Sequence, residues 1–450
     1  MTFRAFDGEY ATIDFLDLLM IDIHGGIRHV SVPSGYVTDK LLAEGIGFDA
    51  SNFGYAKTHD SDMVAIPDMR TAFVQERAGH TLLHVLCDVE LTEGGNFRQY
   101  PRSVTRRTIE ALRRDGVADD AKMLVELEFH IFDEVRYDAD FAHSYYFLQS
   151  AEGLGPDFED LPRFGTQKGY HRISPEDGFE SIRHEIVAAL GVIGIPVKYH
   201  HHEVAASQHE IELDLIPLVD AADAVCLAKW IIRSVVASHG LQVTFMPKPI
   251  YGAAGNGMHV HQYLERDGRT LFAGSGLHGL TDMALAYTAG LLEHSLSGSL
   301  LAFTNPSTNS YRRLVPGFEA PVGATFAKAS RDASVRIPAY LKPEERRIEY
   351  RTGDASANIY YALSAMVLAG ADGIRRNADP VAAGFADPSN GKIFPLALDA
   401  VMDGLARDHA YLSPAFPEAL IDLWIRLKRA EALTVYNAPT PQEYELYFNV

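Results

Sequence analysis

Apolar and polar residues alternate along residues 125–132 of this 450-residue chain. Every second residue is polar, in the order Glu126, Glu128 and His130, and the residues between them are apolar. A period of two is typical of a β-strand that packs one face against a core. These residues are therefore predicted to form a strand whose other face is rich in carboxylates.

The same kind of face recurs in residues 208–214, 257–261 and 347–351. We expect the four faces to share one cavity. Oxygen-rich sites with one or two imidazoles suit hard divalent ions such as Mg²⁺ and Mn²⁺, so the pattern predicts a metal site that serves phosphate chemistry. A simpler interpretation is that each segment is an amphipathic strand with its polar face in water. The acids and imidazoles in these segments, or just upstream of residues 208–214, include Glu126, Glu128, His130, Glu203, Glu210, His259, His261 and Glu349.

The pattern changes near Pro101. Short apolar runs separated by glycine-containing turns precede it and predict a small strand-rich domain over residues 1–100. From Pro101 onward a helix is predicted that ends at Gly116, and a second helix is predicted over residues 220–239. All the metal-type strands follow, so residues 101–450 are predicted to form a larger domain.

Composition excludes several classes of function. The chain has 40 Lys and Arg against 60 Asp and Glu, and the net charge of −20 argues against nucleic acid or an anionic membrane surface as a partner. Cys87 and Cys226 are the only cysteines, too few for a disulfide framework or a cysteine metal site. We find no secretory signal at the start, and residues 361–374 are too short to span a bilayer. A cytoplasmic protein is predicted.

Many short motifs, in order, resemble the type I glutamine synthetases of bacteria and archaea. No single motif is specific, but the resemblance extends over nearly the whole chain. Among them are Phe48-Asp49-Ala50-Ser51, Glu126-Leu127-Glu128-Phe129, His201-His202-Glu203-Val204-Ala205, Phe245-Met246-Pro247-Lys248-Pro249, Gly257-Met258-His259-Val260-His261, Asn305-Pro306-Ser307-Thr308-Asn309, Arg313-Leu314-Val315-Pro316-Gly317 and Arg347-Ile348-Glu349-Tyr350-Arg351.

The resemblance implies an α+β fold with a small N-terminal β-grasp domain and a large C-terminal catalytic domain, whose curved antiparallel sheet is flanked by helices. It also implies a homo-oligomer, a ring of six subunits usually stacked as a dodecamer, with the active site between neighbouring subunits. The implied function is an ATP-dependent ligase that joins L-glutamate to ammonium through γ-glutamyl phosphate and requires two or more Mg²⁺ or Mn²⁺ ions.

The resemblance also assigns roles to residues. One metal would be held by Glu128, Glu203 and Glu210 and the other by Glu126, His259 and Glu349. Asp49 of a neighbouring subunit would bind ammonium, and Glu319 would close a flap over the intermediate. The glutamate would contact Gly255, Arg313 and Arg351, and the nucleotide and its phosphates would contact His261, Arg331, Arg336 and Arg347. The sequence has no GxxxxGK[ST] phosphate loop, so ATP is expected to bind in another way.

Two departures from the family pattern leave alternatives open. The segment after Asp49 is Ala50-Ser51-Asn52 instead of Gly-Ser-Ser, and Ala254 replaces an asparagine expected beside glutamate. An altered ammonium pocket favours a γ-glutamylamine ligase that uses an organic amine such as a polyamine, ethanolamine, methylamine or aniline. A third hypothesis is a catalytically silent ring with a structural or regulatory role, although such a protein has no reason to keep all six ligands.

Overall fold

A computed structural model describes residues 2–56, 61–156, 167–387 and 392–450 of the chain. The N-terminal part holds one short helix, α1 (Asp39–Glu44), and one seven-stranded sheet. Its strands are β1 (Thr2–Ala5), β2 (Phe15–Ile21), β3 (Ile27–Pro33), β4 (Ile46–Asp49), β5 (Asp62–Pro67), β6 (Phe73–Arg77) and β7 (His80–Leu91). They lie in the order β1-β6-β7-β2-β3, with β5 also beside β7 and β4 beside β5. β2 and β7 are parallel, and the other neighbours are antiparallel.

The second sheet has ten strands, and it carries the metal-type residues. Its strands are β8 (Asp120–Phe132), β11 (Val197–His202), β12 (Gln208–Leu213), β13 (Ile216–Pro217), β14 (Gln242–Thr244), β15 (Val260–Arg266), β16 (Arg269–Thr270), β17 (Phe326–Lys328), β18 (Val335–Ile337) and β19 (Ile348–Tyr350). The main order is β11-β12-β8-β15-β19-β18-β17. Among the described strands of this sheet, only the last pair, β17 and β18, is parallel. A separate hairpin consists of β9 (Glu134–Ala139) and β10 (Ser144–Gln149).

Helices flank this sheet. They are α2 (Pro101–Arg114), α3 (Glu180–Val192), α4 (Leu218–Ser238), α5 (Asp282–Ser297), α6 (Leu301–Thr304), α7 (Ser310–Arg313), α8 (Ile359–Arg375), α9 (Leu398–Arg407), α10 (Glu418–Tyr436) and α11 (Pro441–Tyr447). Within the described residues, no helix has both the length and the apolar character needed to cross a membrane.

Both helices predicted from sequence are present. α2 begins at Pro101, which needs no hydrogen-bond acceptor in a first turn, and carries Arg113 and Arg114 where the helix dipole favours cations. Gly116 follows with φ +65°, a left-handed conformation that costs glycine little. The second helix, α4, begins at Leu218, two residues before its predicted start, and ends at Ser238.

A buried ion-pair network ties the two parts of the chain together. Arg102, in the first turn of α2, is fully buried, and its guanidinium contacts Asp223 of α4 at 2.7 and 2.9 Å. The same group contacts Asp88 of β7 at 2.9 Å and Asp68 at 3.1 Å. A buried charge is tolerated only when it is paired in this way. The network fixes the N-terminal sheet against the helices behind the second sheet, while the predicted domain boundary at residue 100 remains a prediction.

β8 determines where the candidate ligands lie. In its register with β12, Glu128 is directly opposite Glu210 and Glu126 is opposite Glu212. Residues directly opposite each other in a sheet project from the same face about 5 Å apart. Beyond β15, Glu349 of β19 lies opposite His261. The alternation found in the sequence therefore becomes one continuous acidic face.

Residues 257–259 depart from the predicted strand, because β15 begins only at Val260. Their backbone still bonds to β8, since the carbonyl of His259 accepts from the amide of Glu126 at 3.0 Å. A side chain at Gly257 would come within 2.4 Å of the Arg313 guanidinium and 3.0 Å of the Glu128 carboxylate. Glycine at this position lets the backbone approach the site closely, and the ladder is irregular there.

Candidate active site

All six candidate metal ligands line a single cleft, whose empty volume is about 780 Å³. Gly255, Arg313, Glu319, Arg331, Arg336 and Arg351 line the same cleft. Residues that are up to about 220 positions apart in sequence are thus brought together by β8 and its neighbours. The interpretation of four independent amphipathic strands is wrong, because the ligand carboxylates are at least nine-tenths buried.

One end of the cleft is formed by His201, Glu203 and Glu210, which we call the Glu203 cluster. His201 lies 3.2 Å from the Glu210 carboxylate and 3.8 Å from that of Glu203. Among the described residues, neither glutamate forms an ion pair with a lysine or arginine. Burial and the neighbouring carboxylates raise the pKa of Glu203 and of Glu210 well above the ordinary value.

The other end is lined by Glu126, Glu349, Arg336 and Arg351, which together with the buried His261 we call the Glu349 cluster. Arg336 and Arg351 each donate to Glu349 at 2.6 Å. His261 lies 2.9 Å from Glu126. The pKa of Glu126 and that of Glu349 are lowered, because these histidine and arginine contacts outweigh the opposing effect of burial.

Glu128 and His259 lie between the two clusters. Glu128 Oε2 accepts from the Gln208 amide at 3.0 Å and from the backbone N–H of Gly257 at 2.9 Å. His259 Nδ1 lies 2.7 Å from Glu126, and its Nε2 lies 3.7 Å from Glu128. Together with the two clusters, they complete a row of carboxylates and imidazoles across the sheet.

The donor set fits divalent cations. Three groups of side chains bring their ligand atoms within 4.8 Å of one another: His201, Glu203 and Glu210; Glu126, Glu210 and His259; and Glu126, His261 and Glu349. Like charges directly opposite each other in a sheet are destabilising, so the pair Glu128 and Glu210 calls for a counter-charge. The geometric groups differ from the predicted sets, in which Glu128 replaces His201 and His259 replaces His261. Both predicted sets stay predictions.

The turn that carries Glu203 is held from behind by a buried glutamate. Glu152 Oε2 contacts His202 Nε2 at 3.0 Å and also accepts from the backbone N–H of Ser207. His202 Nδ1 in turn lies 2.6 Å from the carbonyl oxygen of Glu203. The Glu152 carboxylate therefore hydrogen-bonds to both ends of the turn between β11 and β12.

The predicted arginines lie in two layers. Arg331 and Arg336 face the cleft, and Arg331 donates to the hydroxyl of Tyr170 at 3.4 Å. Arg347 lies beneath the lining residues and donates from Nε to His261 Nδ1 at 3.3 Å. Neither Arg347 nor His261 is among the residues that line the cleft. Arg347 is 6% exposed, so the interpretation of a solvated basic pair at residues 346 and 347 is wrong for this arginine.

The residues predicted to bind glutamate are fixed by the backbone. Arg313 donates to the carbonyl oxygens of Thr352 at 3.0 Å and Gly353 at 3.3 Å. Burial lowers its pKa. Gly255 faces the cleft, and a side chain there would clash with the Pro247 carbonyl at 2.2 Å. Beside it, Ala254 packs with Val204 and Ala205 against Tyr170, and Val204, Ala254 and Tyr170 give the cleft an apolar wall.

Glu319 and Asp49 complete the predicted set. Glu319 lines the cleft in a left-handed conformation with φ +56°, which is strained for a residue other than glycine. Asp49 ends β4 in the N-terminal sheet and is exposed, and it is not among the residues that line the cleft. Its carboxylate accepts from the backbone and hydroxyl groups of Ser51 at 2.8 and 3.0 Å. Hydrogen bonds with Ser61 and Ser51 lower its pKa.

Several lining residues were not predicted. Tyr199 and His201 share the alternation that leads to Glu203, and Gln208 shares that of Glu210, so period two could have found all three. Tyr170 and Tyr340 lie outside the strands, and no local signal marks them.

Comparison with known proteins agrees with this architecture. The family described as glutamine synthetase, beta-Grasp domain, matches residues 12–91, and that described as glutamine synthetase, catalytic domain, matches residues 98–447. The chain is 36% identical to the glutamine synthetase of Nostoc sp. over 97% of each chain. The structure of Plasmodium falciparum glutamine synthetase covers 99% of this chain and all of that one, with a TM-score of 0.90 and 25% identity. Apo GmaS without ligand covers 97% of each chain, with a TM-score of 0.80 and 26% identity.

Fold and site define an ATP-dependent ligase, with a β-grasp domain followed by a catalytic domain built on a largely antiparallel sheet. The α+β fold class and the enzyme class expected from sequence are thereby confirmed. The chain belongs to the glutamine synthetase family.

Proposed function

We propose that this chain joins L-glutamate to ammonium at the expense of ATP and forms glutamine through γ-glutamyl phosphate. A γ-carboxylate oxygen of glutamate attacks the γ-phosphorus of ATP, and ADP leaves. The nitrogen of ammonia then attacks the acyl carbon, and phosphate leaves. The observation that carries the proposal is the cleft itself, where six ligand side chains and four arginines of the family pattern meet.

Two divalent ions would be held by Glu128, Glu203 and Glu210 and by Glu126, His259 and Glu349. Such ions, as Mg²⁺ or Mn²⁺, would supply the charge neutralisation that phosphoryl transfer between two anions requires. The carboxylates of the Glu203 cluster support this assignment, because neither has a lysine or arginine partner among the described residues, and burial together with neighbouring carboxylates raises their pKa values.

Arginines would orient the substrates. Arg313 and Arg351 would form paired hydrogen bonds with the glutamate carboxylates, and Gly255 would contact the same substrate. Arg331 and Arg336, at the surface of the cleft, would bind the phosphates. Arg347 would act through His261, which it holds at 3.3 Å, in orienting the nucleotide.

Protection from water and activation of ammonium would come from two acidic residues. Glu319 would close over the acyl phosphate and exclude water. Asp49 of a neighbouring subunit would bind ammonium and take a proton, so that neutral ammonia attacks. Its exposure and its lowered pKa support a role as a carboxylate available to a neighbour. This arrangement requires a homo-oligomer, and we propose the hexameric ring of the family, stacked as a dodecamer.

A second candidate is a γ-glutamylamine ligase with the same activation chemistry. The apolar wall of Val204, Ala254 and Tyr170 favours it, because carbon substituents of an amine gain from apolar contact. The altered segment after Asp49 agrees with this candidate as well.

A competition assay decides between the two. The protein is given L-glutamate, ATP, Mg²⁺ or Mn²⁺, ammonium and a panel of amines, and the products are identified by mass while ADP is measured. We expect glutamine, with saturation by ammonium and no gain from any amine. Preferential formation of an amine adduct would select the second candidate, and no glutamate-dependent ADP release would select the silent ring.

A further inference from the structure

The segment that carries Glu319 is held by contacts made by its side chains. Residues 316–321 form neither a helix nor a strand, and Gly317 and Glu319 have φ values of +91° and +56°. A strained conformation at Glu319 persists only where its surroundings enforce it. On one side, Arg351 donates to the Glu319 carbonyl oxygen at 3.4 Å.

On the other side, the ammonium of Lys248 lies 3.6 Å from the centre of the Phe318 ring. A cation this close to a ring face is attracted by the ring quadrupole, and more strongly where water is partly excluded. Lys248 is half-buried, and burial together with the charge of Arg313 lowers its pKa to about 8. The Phe318 ring therefore stabilises the Lys248 ammonium, which is poorly solvated.

Lys248 is fixed before it meets the ring. Its backbone N–H donates to the side chain of Asn309 at 2.6 Å, and its carbonyl accepts from the same amide at 3.2 Å. Its ammonium also donates to the carbonyl oxygen of Ala253. Lys248 is thus held both at its backbone and at its ammonium group, and Phe318, which it contacts, directly precedes Glu319 in sequence.

We propose that Lys248 is a positioning residue that holds Phe318, and through it Glu319, over the cleft. This inference rests on the proposed function, in which Glu319 shields the acyl phosphate. When the contact is broken, water reaches the acyl carbon more often: its oxygen bonds to that carbon, phosphate leaves and glutamate is regenerated. ATP is then consumed without formation of the amide.

The test compares two variants of Lys248. Lys248→Met keeps a side chain of similar length but removes the positive charge, and Lys248→Arg keeps the positive charge. Phe318→Leu breaks the same contact from the flap side. Lys392→Met is the matched control, because Lys392 lies 5.2 Å from the ring of Phe385 in a comparable contact outside the cleft. ADP and γ-glutamyl product are measured together over a range of glutamate concentrations up to saturation, with saturating ATP and ammonium.

We expect the ratio of ADP to product to rise about three- to tenfold in Lys248→Met and in Phe318→Leu, the range expected when one cation–π contact is lost. The variant that carries both Lys248→Met and Phe318→Leu should have a ratio little higher than either single variant. Lys248→Arg should keep the ratio close to that of the unmodified protein. Lys392→Met should leave the ratio unchanged. A higher KM for glutamate in Lys248→Met with an unchanged ratio would overturn the inference and make Lys248 a substrate ligand.

Hydrogen exchange separates this inference from the proposed function. Amides of residues 316–321 should exchange faster in Lys248→Met than in the unmodified protein or in Lys392→Met, whether or not glutamine is the product. Unchanged exchange would reject the contact as a restraint. Absence of any γ-glutamyl product from the unmodified protein would instead reject the proposed function, with the exchange result still deciding the restraint.

Discussion

The two ends of the cleft contain similar carboxylates in opposite electrostatic states. In the Glu349 cluster, two arginines lie 2.6 Å from one carboxylate, and histidines contact its neighbour Glu126. In the Glu203 cluster, a single imidazole lies between Glu203 and Glu210. Accordingly the pKa values of Glu126 and Glu349 are lowered, whereas those of Glu203 and Glu210 are raised by burial and by neighbouring acids.

This difference suits the two clusters to different roles: the Glu349 cluster is held in place by the chain's own ion pairs, and the Glu203 cluster is suited to binding a cation. The Glu349 cluster is balanced by the chain itself, so its geometry is set before any ligand arrives. Among the described residues, the Glu203 cluster has no lysine or arginine partner for its carboxylates, and repulsion between the ionised groups opposes folding until protons or a cation bind. The strongest driving force for binding a divalent ion therefore lies at the end of the cleft that is least stable without one.

The largest expected effect comes from neutralising one carboxylate in each cluster. Glu349→Gln should destabilise the metal-free protein by about 3 kcal/mol, because it weakens the pairing of two largely buried arginines. Glu210→Gln should leave the free energy of unfolding unchanged or raise it, because repulsion within the Glu203 cluster is relieved. Both variants should lose at least about 100-fold in activity, as loss of a metal ligand implies.

Chemical denaturation in the presence of a chelator measures these free energies, and ADP release measures activity. Opposite signs of the stability change in the two variants would establish the comparison. Equal destabilisation by both substitutions would show that the two clusters are balanced alike.

Dependence of stability on pH and on metal provides the next test. Glu203 and Glu210 have folded-state pKa values above the unfolded value, so the folded protein binds more protons than the unfolded chain as pH rises above about 4.3. Their contribution to stability is present below that pH and is lost as pH rises through the raised values. Glu126 and Glu349 behave oppositely, and their contribution is lost only as pH falls through the lowered values.

Between pH 5 and 8, the metal-free protein should therefore lose more stability, or gain less, with rising pH than Glu210→Gln does. Saturating Mg²⁺ should reverse the slope, because the ion binds the ionised carboxylates and releases protons. Melting temperatures of the unmodified protein and of Glu210→Gln are measured across this pH range, each with chelator and with Mg²⁺. The difference between them isolates the contribution of the Glu203 cluster from that of the other titrating groups. A slope that neither the substitution nor the ion changes would contradict the raised pKa values.

A smaller effect, on the affinity for divalent ions, is expected from Glu152, which holds the turn behind the Glu203 cluster. Glu152→Gln keeps the size of the side chain but removes the charge that accepts from His202 and Ser207. Divalent affinity should fall about 10- to 100-fold, the usual cost of losing a partner that orients a ligand. Calorimetric titration with Mn²⁺ measures it, with Glu134→Gln on the hairpin outside the cleft as the control. Unchanged affinity would limit Glu152 to a structural role.

Local patterns explain how much of this site was predictable. Glu126, Glu128 and Glu210 lie on strands whose period of two is visible in the sequence, so the acidic face could be predicted from the residues alone. Their burial in one cleft depends on register between β8 and β12, which no local pattern encodes. The resemblance to a family supplied the fold and the roles of the arginines.

The electrostatic difference could not be predicted in the same way. Arg336 reaches Glu349 because β18 and β19 pair and place the two residues opposite each other, whereas Arg351 reaches it from two positions further along the same segment. Arg331, five residues before Arg336, contacts Tyr170 instead. Glu152 reaches His202 across 50 positions of sequence. Such contacts arise from tertiary packing, as does the close approach of the Gly257 backbone to the Arg313 guanidinium.

The smallest expected effect concerns Glu212, a carboxylate on the same strand as Glu210 that already has a cation. Lys198 lies 2.5 Å from Glu212 and is about one-third exposed. Lys198→Met would give Glu212 the unpaired state of Glu210 two residues away. Because a pair that is partly exposed contributes less than about 1 kcal/mol, stability should fall only slightly and activity should change by less than about threefold.

If the comparison holds, the metal-free Lys198→Met variant should also lose stability more steeply with rising pH than the unmodified protein, since another buried carboxylate then lacks a counter-charge. Denaturation at pH 6 and pH 8 checks this, with Lys40→Met as a control because Lys40 forms a fully surface-exposed pair with Glu44. Identical slopes in both variants would mean that Lys198 adds nothing to the balance of charge along β12.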